Sequence, residues 1–151
     1  MPLVRKPRII TLGKEMRKEY LMSTNYYIIK NGETTYDNGI HIAKHHMSPH
    51  KWSFQAFEQN PIPEAFTTDI ESIESVEDWK TALTHLSDDY VVVSEYLSEY
   101  NPEVLIAEWD EFTPLTEDEY YDLYPESKEW KDLNNDFMDE KGYRFTYNDF
   151  F

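Results

Sequence analysis

The sequence predicts an α+β fold, a small antiparallel sheet packed with acidic helices. Aromatic and β-branched residues alternate with polar ones over residues 24–57, between Asn-Gly turns. Beyond Pro61 and Pro63 the apolar spacing lengthens to that of a helix, and after Gly142 it returns to strict alternation at Tyr143, Phe145 and Tyr147.

Each element has its own local reason. Tyr26-Tyr27-Ile28-Ile29-Lys30 is aromatic and β-branched, and Asn31-Gly32 and Asn38-Gly39 supply turn conformations. Ile40 and Ile42, then Trp52, Phe54 and Ala56, alternate as half-buried strands do, which makes 24–57 a three-stranded meander. Ser75-Val76-Glu77-Asp78 is an N-cap with an acid at the third helical position, and Val76, Trp79, Leu83 and Leu86 share a face, giving a helix over about 75–86. Val91-Val92-Val93 favours a short strand near 90–94, although Val92, Tyr96, Leu97 and Tyr100 would also line a helix. Asn101-Pro102 opens a helix carrying Leu105, Trp109 and Phe112. Thr116-Glu117-Asp118-Glu119 is a capping box, and Pro125 restarts a turn before a helical face of Trp130, Leu133 and Phe137. A last strand spans 143–147.

Residues 1–21 form a basic N-terminal extension, six Lys/Arg against two acids, which either contacts the acidic body or is a tail. Met22 is an alternative start, and 22–151 is a single α+β domain with its acidic helical part at 94–140. A chain of 151 residues is long enough for one core without staples. There is no cysteine, so disulfides and thiolate metal sites are excluded and a reducing cytosol is the expected compartment. No apolar run approaches the roughly 18 residues of a membrane span, and the short run Ile9 to Leu12 makes no secretory signal.

The charge is sharply divided. Residues 1–56 hold nine Lys/Arg against four Asp/Glu, and residues 57–151 hold five against 26. A surface so acidic repels nucleic acid and attracts a basic partner. Carboxylates at i, i+3 and i+4 on helices lie about 5–6 Å apart, close enough to approximate a row of phosphates. Glu99, Glu103, Glu108, Asp110, Glu111, Glu117, Asp118, Glu119, Asp122 and Glu126 are the candidate partner-binding acids, and Tyr120 is their candidate aromatic anchor. Paired carboxylates such as Asp139/Glu140 read as a solvated helix face.

Chemistry has fewer candidates. His41, His45, His46 and His50 are weak metal-ligand candidates, since a loop does not pin their spacing, and no cofactor is expected. His41, Lys44, His45 and Trp52 form the alternative ligand site at the mouth of the meander, suited to a nucleotide or phosphate. With four Gly there is neither a Walker nor a dinucleotide pattern, and no residues are assigned to catalysis.

Thr24-Asn25-Tyr26-Tyr27, His41-Ile42-Ala43-Lys44, Trp52-Ser53-Phe54 and Glu77-Asp78-Trp79-Lys80 together resemble a group of small, mostly uncharacterised phage-encoded proteins. Those carry Thr-Asn-Tyr-Tyr, His-Ile-Gly-Lys, Gly-Trp-x-Phe-Ser and Glu-Asp-Trp-Lys. The resemblance covers about 22–93 and returns at Gly142 to Thr146. Many members place paired cysteines, suggestive of a zinc knuckle, where this chain has its Asn-Gly hairpin. The resemblance therefore implies a phage origin and carries over neither a metal nor a reaction.

Charge and resemblance together lead to the expectation of a phage-encoded acidic inhibitor in the host cytoplasm. It would bind a basic, nucleic-acid-binding host protein, a defence nuclease such as a CRISPR or restriction enzyme, or a polymerase. The alternatives are a ligand-binding protein or enzyme using the His41–His50 loop, and a structural or assembly module.

Overall fold

The computed structural model describes residues 23–46, 52–126, 128–129 and 136–148. The extension 1–21, Met22, His50, Trp130 and Leu133 lie outside the described residues. Seven strands form one sheet in the order β5-β4-β1-β2-β3-β7-β6. They are β1 (Thr24–Lys30), β2 (Ile40–His45), β3 (Trp52–Gln55), β4 (Tyr90–Ser94), β5 (Glu99–Tyr100), β6 (Phe137–Met138) and β7 (Arg144–Thr146). Among the described residues the α-helices are α1 (Val76–Thr84), α2 (Pro102–Glu111) and α3 (Glu117–Leu123).

The α+β class and the β1-β2-β3 meander are as the alternation predicts. The sheet is mixed, however, because β7 joins β3 in parallel. A parallel neighbour requires a long crossover, and the chain from β3 to β7 supplies it through the helices. One row runs across four strand pairings: Tyr26, Ala43, Phe54, Phe145 and Phe137 lie side by side. Phe137, expected on a helical face, is thus a strand residue stacked on Phe145 at 5.5 Å.

Helix caps follow the sequence closely. Ser75 Oγ accepts from Asp78 N, Asn101 Oδ1 accepts from Glu103 N, and Thr116 with Glu119 closes a reciprocal capping box. Trp79 of α1 and Trp109 of α2 are fully buried with Phe54, Phe145, Ile28 and Val92 in the main core. Trp79 Nε1 donates to Gln55 O at 2.8 Å, and Tyr143 Oη donates to Trp109 O at 2.6 Å. The opposite sheet face holds a smaller cluster of Tyr27, Ile29 and Val93, with Tyr36 stacked on Tyr27 at 4.3 Å. Tyr36 lies on the β1–β2 loop, whose last residue, Gly39, has no room for a side chain. A Cβ there would sit 2.9 Å from Ile28 O and from Ile29 Cγ2.

Asp139, read from the sequence as part of a solvated helix face, is instead a structural tie. One carboxylate oxygen accepts from Val76 N at the start of α1, and the other accepts from Lys141 N and Tyr143 N in the β6–β7 hairpin. The hairpin turns at Gly142, whose φ of 90° suits glycine. Asp139→Ala leaves three backbone donors without that acceptor and should cost about 1–3 kcal/mol, measured by urea unfolding. A loss within about 0.5 kcal/mol would contradict the role.

Candidate functional site

A β-bulge decides how the histidines are distributed. Tyr26 pairs with Ala43 but Tyr27 pairs with His41, so Ile42 is the extra residue, and Ile42 and Ala43 both enter the core. Strict alternation would place His41 and His45 on one face; the bulge puts them on opposite faces. His41 stacks on Tyr27 at 5.0 Å and shares a hydrogen bond with Asn25 Oδ1 through Nε2. His45 lies on the core side, its ring parallel to Trp52 at 4.3 Å and 4°. Lys44, adjacent to His45 in the strand, projects to the opposite face. The sheet therefore separates His41 and Lys44 from His45 and Trp52, and the four do not converge on one ligand. His46 Nε2 shares a hydrogen bond with Ser53 Oγ at 2.9 Å. Among the described residues no group of three His, Cys, Asp or Glu could hold a metal ion.

The acids divide by what the fold asks of them. All ten candidates are exposed. Glu103, Glu117, Asp118 and Glu119 occupy first turns, where negative charge complements the helix dipole, and Glu119 also accepts from Thr116 N as part of the cap. Asp110 is paired with Lys80, which also reaches Glu77. Folding thus accounts for these five.

Glu108 and Glu111 are different. They lie in the last turn of α2, where the dipole favours cations, no basic residue is present in that turn, and they are three residues apart. Glu108 is exposed as a residue, yet partial desolvation of its carboxyl first, and the charge of Glu111 second, raise that carboxyl above its ordinary range. Neither acid forms an ion pair among the described residues.

These two acids line an open groove of about 620 Å³ together with His45 and Trp52. Phe112, Pro114 and Leu115 give it an apolar side, and Glu119 contributes from α3. The groove thus unites members of both candidate sets, the acids of the helices and the aromatic pair of the meander. Burial lowers the affinity of His45 for a proton, which favours the neutral imidazole. Among the described residues no Lys or Arg lines the groove.

No protein-family model, curated protein or solved structure matches this chain. No helix among the described residues is long and apolar enough to cross a membrane.

Tyr120, expected as a partner-facing anchor, is buried, with the Arg144 guanidinium 3.2 Å over its ring. An aromatic residue on the inner side of an amphipathic helix is claimed by the fold before any partner reaches it. The residue that sequence reasoning placed in the other candidate set, His45, is the aromatic group that belongs with the acids.

Glu108→Gln tests the electrostatics. With its carboxyl proton held more tightly in the folded than in the unfolded chain, Glu108 costs stability once pH rises above the ordinary glutamate range, and it costs nothing when both states are protonated. The Gln variant should therefore unfold at higher urea than the parent at pH 7, and the gap should close below about pH 4. Equal midpoints at pH 7 would contradict the crowding of Glu108.

Proposed function

We propose that this is a phage-encoded acidic protein that binds a basic, nucleic-acid-binding host protein in the host cytoplasm and blocks it. Its exposed carboxylates stand in for phosphates. The observation that carries the reading is the Glu108–Glu111 couple, unpaired among the described residues and at the wrong end of a helix dipole, on a surface already crowded with exposed acids. Two carboxylates at that end of a helix are unfavourable for stability, and a cation brought by a partner would offset them. The resemblance of Thr24–Tyr27, His41–Lys44 and Trp52–Phe54 to phage-encoded proteins supports the host setting. Among basic host proteins, a CRISPR or restriction nuclease or a polymerase carries the phosphate-binding groove that such a surface suits.

The test is competition. Proteins retained by the immobilised chain from a bacterial lysate are purified and assayed for DNA or RNA binding with and without the free chain. The reading expects a retained nucleic-acid-binding protein whose nucleic acid is displaced in proportion to added chain. Retention of proteins that keep their nucleic acid at saturating chain would overturn it.

A further inference from the structure

We propose that the groove between the His45–Trp52 pair and the α2–α3 connection is the anchoring pocket for one arginine side chain of the basic partner. The inference rests on the proposed function and narrows it from a charged face to one position. Three features select arginine. The imidazole of His45, covered on one side by Trp52, offers a flat ring surface beside the groove, and a guanidinium stacks on such a surface where an ammonium does not. Glu108 and Glu111, one helical turn apart, present carboxylates that the planar fork of a guanidinium can bridge. Phe112 and Pro114 supply apolar contact for the methylene stem.

The charge balance agrees. A guanidinium entering the groove meets the negative end of α2 and two acids that no described residue pairs, and it relieves their mutual repulsion. The neutral imidazole adds no opposing charge. The acids on the outer side of α3 attract the same partner without this geometry, which is what makes the position separable from the field.

The experiment titrates the full chain with tri-arginine and tri-lysine peptides of equal charge, followed by NMR of the histidine and tryptophan side chains. The pocket predicts that tri-arginine binds about tenfold more tightly, a difference of about 1.4 kcal/mol, with shifts at His45. Changing Glu108 and Glu111 together to Gln should remove that preference, while changing Glu117 to Gln and Asp118 to Asn removes as much charge and leaves the preference intact. His45→Ala, with folding checked by circular dichroism, should lower tri-arginine affinity and spare tri-lysine. Equal binding of the two peptides, with both pairs of substitutions weakening it alike, would overturn the pocket and leave the acidic-surface reading standing. Absence of any salt-sensitive binding by either peptide would overturn both. A gain for tri-arginine, with no matching gain for tri-lysine, after Arg5, Lys6, Arg8, Lys14, Arg17 and Lys18 are changed to Gln would assign the groove to the chain's own basic segment and overturn its assignment to a partner.

Discussion

Trp79→Ala should destabilise the fold by about 3–5 kcal/mol, a large share of the roughly 5–15 kcal/mol that holds a typical domain together. Trp79 is fully buried, meets Phe57 edge-on at 6.3 Å, and its indole N–H donates to Gln55 O. Truncation opens a cavity between α1 and the sheet and also strands a buried carbonyl at the end of β3. The two losses separate by substitution. Trp79→Phe keeps most of the ring and removes the donor, so it should cost about 1–3 kcal/mol. Urea unfolding followed by far-ultraviolet circular dichroism measures both. A loss under about 1 kcal/mol for Trp79→Ala would mean that α1 does not hold the sheet in this way.

Trp79 also illustrates what a single chain makes legible. Its position three residues after Val76, behind a Ser-x-x-Asp start, marks both the helix and its buried face, because capping and helical period are local properties. The meander is legible for the same reason: alternation and Asn-Gly turns act within a few residues. The parallel β3–β7 pair is not, since it joins Phe54 to Phe145 across most of the chain and leaves no trace in either segment. Phe137 is compatible with a helical spacing and becomes a strand residue only because Phe145 lies beside it.

The candidate site is legible in the sequence as a set of residue types and not as an arrangement. Exposed acids were visible in composition, but which of them the helices use for their own dipoles requires the helix ends. The bulge at Ile42 moves His41 to the other face from His45, and nothing in Ile40-His41-Ile42-Ala43-Lys44-His45 marks it. Two adjacent apolar residues within an alternating strand, Ile42-Ala43, are the nearest thing to a signal, and Ala is too permissive a residue to make it one. Tyr120 shows the converse: a tyrosine among acids reads as an anchor until it is found buried under an arginine that covers its ring.

Reversing Glu117, Asp118, Asp122 and Glu126 to Lys should weaken the complex with the basic partner by about a hundredfold or more, about 2.7 kcal/mol. The set is chosen by structure. Glu119 is left in place because its carboxylate closes the α3 capping box, and Asp110 because Lys80 already neutralises it. Lysines at 117 and 118 oppose the dipole at the start of α3 and should cost the helix about 0.3–1 kcal/mol each, whereas a lysine at 122, in the last turn, favours it. Circular dichroism should accordingly remain close to that of the parent while binding is lost, which separates charge from folding. Parent affinity should fall steeply as salt rises from 50 to about 200 mM, because exposed pairs are screened over a Debye length near 8–10 Å. The reversed variant, with its attraction removed, should show little salt dependence at all. Retained affinity in the variant, together with a flat salt response in the parent, would mean that the carboxylates of α2 and α3 serve only to keep the surface hydrated.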